Sequence, residues 1–456
     1  MKIRRLAVFL FVAAAVVCAP HAPAWGAGAL QAQRSPTERA KPSATPPKLQ
    51  APSVPKGYDL PPQKRAEALA YSQVQYVLYF SGIGLVLLIY FLLWRTRTAV
   101  VFRTWARRTS SRSFVQCLIF APLFFLTVRL LLLPFAYYAD FVIEHRFGLM
   151  TQGFGSWLAD WCKGLILFLI AGTLMVAVFY WIVRRSPRRW WFYFWLATIP
   201  ITLFVMFIGP FVVEPLFYRF TPLSATRPGL VARIEEMLHR ADLGIPERRI
   251  LEMGASAKTN TLNAYVSGLG ASKRVVVWDT TLNKMTDDET LMVLGHETGH
   301  YVLHHIMKEF VLIELVVLGF IALGFFAVKK LIKHYGGRTG IEGESDLASL
   351  PVMLLVLTLL TFFSSPLVNA ISRHYEHQAD QFALEVTYGV VSDPNAAEAR
   401  AFQILGEQDL SDPDPNSFIV FWLYSHPPLD RRIRFALNYK PWAEGRPLQF
   451  VHPPRP

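Results

Sequence analysis

The chain has 456 residues, 53% of them hydrophobic and 17% charged, with a formal net charge of +13. That is too apolar for an ordinary soluble enzyme and long enough for two or three domains. The positive charge does not make a nucleic-acid binder, because the basic residues form short runs such as RTRTAVVFRTWARR, VRRSPRR and KKLIK beside apolar stretches, without interleaved recognition aromatics.

Met1 to Ala24 has a basic start, the apolar run LAVFLFVAAAVV and then small residues, the layout of a secretory signal peptide or an uncleaved anchor. Residues 25–72 are rich in Pro, Ala, Gln and Ser towards their start and are expected to be a disordered tether. Cys18, Cys117 and Cys162 form no close pair, so neither a disulfide framework nor a cysteine zinc cluster is expected.

Four apolar stretches of spanning length follow, at about 74–94, 114–137, 164–183 and 190–213, with two more at about 310–328 and 348–370. Each reaches the roughly 20 residues that cross a hydrocarbon core, and all must be helical because lipid offers no partner to an open peptide group. Residues 73–213 thus form an N-terminal membrane domain and 310–370 a transmembrane hairpin, separating catalytic regions at 214–309 and 371–456. The expected class is mainly α: a multi-span helical membrane protein with a small α+β zincin-type domain whose halves flank the hairpin.

Within 214–309 the spacing predicts a helix over 230–240 and short strands at 249–253, 263–267 and 273–278. Gly268-Leu-Gly270 reads as a hairpin turn rather than a phosphate cradle, since no lysine–serine helix start follows it. Thr286-Asp-Asp-Glu289 is a capping box and starts a helix that runs through VLGHETGHYVLHH at 293–305.

His296 and His300 lie four apart in that helix, so their imidazoles project from one face and share a metal, while Glu297 sits beside it to take a proton from a polarised water. A bare HExxH also occurs on surface turns, but here it lies in a capped helix with a third ligand available. A histidine ten residues after His296 is missing, since Ile306 stands there. His304, eight residues on, is about 12 Å away along a helix, out of reach of one ion. His304 and His305 therefore read as helix-face residues, the alternative being a role behind the metal or against substrate. Glu376, in the stretch EHQAD, is the better third ligand, because Asp380 one turn on can accept the free N–H of a ligating imidazole; His374 and His377 are its rivals.

HETGH at 296–300, SRHYEHQAD at 372–380 and YSHPPLDRRIRF at 424–435 together resemble the type I CAAX prenyl endopeptidases, integral-membrane zinc peptidases of the gluzincin kind. The similarity extends to FVIEHRFGL at 141–149, FYRFTPL at 217–223 and LNAYVSGL at 262–269. The resemblance implies one Zn2+ per chain, membrane helices walling an enclosed chamber, and cleavage after a prenylated C-terminal cysteine. It also implies that His426 and Arg432 face the scissile carbonyl, and that Asn263 and Ala264 line the cleft where a peptide adds as a strand. Without it, His426 and Arg432 would read as ordinary polar groups at a helix start.

Partners are therefore expected to be membrane lipids and a peptide or protein substrate, prenylated or not. Arginines at 95–112 and 184–189 and lysines at 329–333 mark the loops after spans one, three and five, whereas the loop at 138–163 holds only Arg146 and Lys163. By the positive-inside rule the zinc segments then face the outer side of a bacterial-type plasma membrane. That favours envelope quality control or precursor trimming over a cytosolic prenylated substrate. A membrane scaffold or transporter with a structural zinc is the rival class, but such sites are normally closed by four ligands.

Overall fold

The chain is described here in a computed structural model that covers residues 53–268 and 270–451. The signal-like start, Cys18 and residues 25–52 of the expected tether lie outside the described residues.

In chain order the membrane domain has α1 at Pro62–Arg95, α2 at Thr98–Thr109, α3 at Ser113–Tyr137, α4 at Phe154–Arg185 and α5 at Trp190–Ile208. α3 continues through a π-type turn to Arg146, and α5 through another to Leu216. The central region holds β1 at Phe220–Pro222, α6 at Pro228–Arg240, β2 at Ile250–Met253, β3 at Ala264–Ser267, β4 at Arg274–Trp278, α7 at Asp279–Lys284 and α8 at Asp287–Val302. The hairpin α9 (His305–Thr339) and α10 (Leu350–Thr387) follows, then α11 at Pro394–Gln408, α12 at Ser417–Leu423 and α13 at Leu429–Asn438. Six described helical segments are long and apolar enough to cross a membrane, and each contains one expected span. Large apolar side chains on α4 and α5, among them Ile166, Ile170, Trp181 and Phe204, stay exposed, as a lipid-facing surface requires.

The first helix begins earlier than its hydropathy suggests. Tyr58 and Leu60 are buried with Tyr71, Phe402 and Ile433, and the Tyr58 N–H donates to Asp430 Oδ1 at 3.2 Å. Two large apolar residues at the end of the expected tether thus have something to bury, and Pro62 opens α1 as helix-starting prolines do.

The sheet order is β1-β2-β4-β3, with β2 and β4 parallel and the other pairs antiparallel. β3 and β4 form the expected hairpin. Gly268 has φ +90°, and a Cβ there would lie 2.3 Å from the Ser272 carbonyl oxygen, so this turn requires glycine. β1 was not legible: three residues ending in proline carry no period. β3 is left as an edge strand against α8.

α8 starts at the capping box, the Thr286 side chain accepting from Glu289 N–H and Glu289 Oε2 from Thr286 N–H at 2.8 Å. Its face towards α10 carries Gly295 and Gly299. A Cβ on Gly299 would sit 3.0 Å from that of Phe382, and one on Gly295 3.3 Å from the Ala383 Cα, so the two backbones lie close.

At the other end of the hairpin the basic loops converge. Arg103 pairs with Asp346, Arg107 with Glu342 at 2.7 Å, and the Trp190 indole donates to Glu344 at 2.8 Å. α9 therefore leaves from the HETGH end and α10 returns to it.

Gly299→Val should force α8 and α10 apart, at a cost of about 1–3 kcal/mol. Metal content after dialysis against a competing chelator, read beside the melting temperature, checks this; unchanged metal retention would contradict the close-packing argument.

Candidate metal centre and active site

One helical turn of α8 presents His296 and His300, both almost fully buried, and α10 brings Glu376 opposite them. The two Nε2 atoms lie 3.0 Å apart, with Glu376 Oε2 3.1 Å from His296 Nε2 and Oε1 3.5 Å from His300 Nε2. Three ligands about 2.0–2.1 Å from a tetrahedral zinc would stand roughly 3.3 Å from each other, so this triangle fits the ion. Among the described residues these three form the metal-capable cluster. Burial alone would lower the His296 pKa, yet the Asp380 and Glu376 carboxylates overcome it and hold the imidazolium up to about 9. His374 and His377 are exposed on α10, His377 packing on Phe435, and neither joins the triangle.

Behind the triangle each imidazole is held by its far nitrogen. His296 Nδ1 lies 2.8 Å from Asp380 Oδ1, as the sequence suggested. Arg432, buried on α13, donates its Nε to Asp380 Oδ2 at 2.9 Å and its Nη2 to Oδ1 at 2.5 Å, with its guanidinium over the Phe402 ring at 4.1 Å. Two of its three guanidinium nitrogens are engaged with Asp380, and the residue also lines the cavity beside the triangle.

His300 has its own support, which corrects the helix-face reading of His305. His304 adopts φ +56°, ending α8 and starting α9, and this break turns His305 back into the protein. His305 is fully buried, with Nδ1 3.1 Å from His300 Nδ1 and Nε2 3.0 Å from Gln378 Oε1. His304 remains exposed.

A cavity opens beside the triangle, lined by His296, Glu297, Asn263, Glu398, His426 and Arg432 among others. Glu297 is half-buried on its wall. His426 Nε2 lies 3.0 Å from Glu376 Oε2, and its Nδ1 2.9 Å from Ser425 Oγ, so this imidazole reaches the metal pocket. The Asn263 main chain is already engaged, its N–H donating to Thr281 Oγ1 at 2.8 Å and its carbonyl accepting from the Trp278 N–H at 3.0 Å. By the alternation of an antiparallel pair, the main-chain groups of Ala264 then point off the free edge of β3, the position a peptide strand would use.

Residues 224–440 match the family model of Peptidase family M48, and residues 45–219 that of the CAAX prenyl protease N-terminal region, five membrane helices. The chain is 34% identical to the Uncharacterized metalloprotease YhfN of Bacillus subtilis, over 82% of this chain and 86% of that one. The chain belongs to peptidase family M48. It is a membrane-embedded metalloprotease of that family. This M48 chain is also 29% identical to CAAX prenyl protease 1 of Saccharomyces cerevisiae, over 67% of its own length and 68% of the relative's. Its fold is similar to the crystal structure of S. mikatae Ste24p, with TM-score 0.69 and 26% identity, covering 83% of this chain and 89% of that one.

The support behind the M48 motif was the hardest part to see from sequence. In one unbroken helix, His305 would point about 140° away from His300, and only the left-handed residue between them reverses that. Replacing His305 with Phe should weaken zinc binding about tenfold or more, whereas His304→Ala should leave it unchanged. Competition titrations with a chromophoric chelator distinguish the two; equal affinities would remove His305 from the site.

Proposed function

We propose that the chain is a zinc endopeptidase that holds one Zn2+ through His296, His300 and Glu376 and cuts a peptide lying in extended form along β3. The convergence of two α8 imidazoles with an α10 carboxylate, with Glu297 beside them on an open cavity wall, carries this reading. Zinc bound there would supply Lewis-acid polarisation of the attacking water and of the peptide carbonyl.

The remaining roles belong to the chain's own side chains. Glu297 takes the proton from the attacking water and returns it to the departing amine. His426 stands close enough to donate a hydrogen bond to the oxyanion that develops on the cut carbonyl. Asp380 orients His296 and keeps its Nε2 directed at the ion, with Arg432 fixing Asp380 in turn. The rival reading of a scaffold with structural zinc lacks a fourth ligand and leaves Glu297 without a purpose.

The named CAAX prenyl protease relatives support a substrate with a prenylated C-terminus. The clustered arginines at the opposite end of the α9–α10 hairpin favour an active site on the outer face of a bacterial-type membrane, where envelope precursors or damaged membrane proteins would be met.

Glu297→Gln should retain stoichiometric zinc and lose peptide cleavage by about 10²–10⁴-fold; metal analysis beside a quenched-peptide assay measures both, and surviving turnover would rule out this mechanism. In sealed inside-out vesicles the segment 411–418 (SDPDPNSF) should resist an added protease and become cleavable only on permeabilisation. Cutting before permeabilisation would place the site on the cytoplasmic face and restore the prenylated cytosolic substrate.

A further inference from the structure

The wall of the active-site cavity contributed by α11 is a single helix face, Glu398, Ala401, Phe402 and Leu405, spaced as i, i+3, i+4 and i+7. Three of the four are apolar. A carboxyl group on such a stripe is costly unless something compensates it. Glu398 is 1% exposed, and neither of its carboxyl oxygens has a hydrogen-bond partner among the described residues.

The one arginine near it, Arg432, acts on Glu398 through its field without a hydrogen bond to either oxygen. Arg432 is the one arginine among the described lining residues, which include no lysine, and its Nε and Nη2 are held by Asp380. Farther along the same wall stand two more carboxyl groups, Asp409 and Asp412, the latter accepting from the Tyr76 hydroxyl at 2.8 Å. Burial first, and the nearby Asp380 carboxylate second, push the Glu398 carboxyl well above the usual range, against the opposing pull of the Arg432 guanidinium. Such a group has no hydrogen-bonded positive partner among the described residues.

We propose that Glu398 selects the substrate, and that the cavity takes a cationic side chain, lysine or arginine, from the peptide being cut; this rests on the peptidase reading above. The methylene stem of the side chain lies on Ala401, Phe402 and Leu405, and its charged head meets the Glu398 carboxyl. The same wall opposes a free C-terminal carboxylate.

The test uses the full chain carrying Glu297→Gln, zinc-loaded in detergent micelles, and fluorescent peptides in which lysine, glutamine or norleucine is moved through each position. At one position lysine should bind about tenfold tighter than norleucine or glutamine, and Glu398→Gln should bring the lysine-to-norleucine ratio close to one. Glu398→Leu, which suits the apolar stripe, gives the same ratio if the glutamine variant folds poorly. Glutamine binding as well as lysine, no lysine preference at any position, or a preference that survives both substitutions would overturn the proposal. If the unsubstituted chain with zinc cuts none of the peptides while the lysine preference and its loss persist, the peptidase reading falls and the pocket assignment stands.

Discussion

The metal site depends on one steric condition, that α8 and α10 approach until their backbones nearly touch. Gly295 and Gly299 leave the room that a side chain would fill, facing Ala383 and Phe382. Only at that separation do His296 and His300 meet Glu376 within about one zinc coordination shell. The same contact brings Asp380, one turn beyond Glu376, against His296. Two small residues at a four-residue interval thus set the geometry of four polar ones on the facing helices.

Around that contact the protein arranges charge in layers. Asp380 is a buried carboxylate, and alone it would be expensive. Arg432 neutralises it through two N–H groups while the Phe402 ring covers the guanidinium. His300 is supported through His305 and the Gln378 amide. One imidazole therefore leans on a carboxylate–arginine pair and the other on a second imidazole and an amide, and in both the far ring nitrogen is occupied, which leaves the near one for a metal.

Much of this was legible because it follows from helical period. The four-residue intervals of His296 and His300, and of Glu376 and Asp380, fix each pair to one face, and the six apolar runs are long enough to span. What escaped detection depends on breaks in period or on distant partners. His305 is rotated inward by a single left-handed residue, His304. The partner of Arg432 lies 52 residues away and could not be read from the helix that carries it. Glu398 belongs to no motif; only its place on an apolar helix face beside the metal distinguishes it. The ordered end of the tether was missed because Tyr58 and Leu60 are isolated apolar residues whose burial depends on α11 and α13.

The length of α10 joins the membrane domain to the chemistry. Its 38 residues run unbroken from Leu350 to Thr387, about 57 Å at 1.5 Å per residue, while the hydrocarbon core is about 30 Å thick. Counted from Leu350 without tilt, the core is crossed after roughly 20 residues, so Glu376 stands less than two turns beyond the boundary and Asp380 one turn farther. A carboxylate placed two turns earlier would have to be desolvated in lipid. Placed much later, it would lose α9, whose first residue, His305, supports the second imidazole. By that count Glu376, which completes the triangle with the two α8 imidazoles, follows directly on the apolar part of α10.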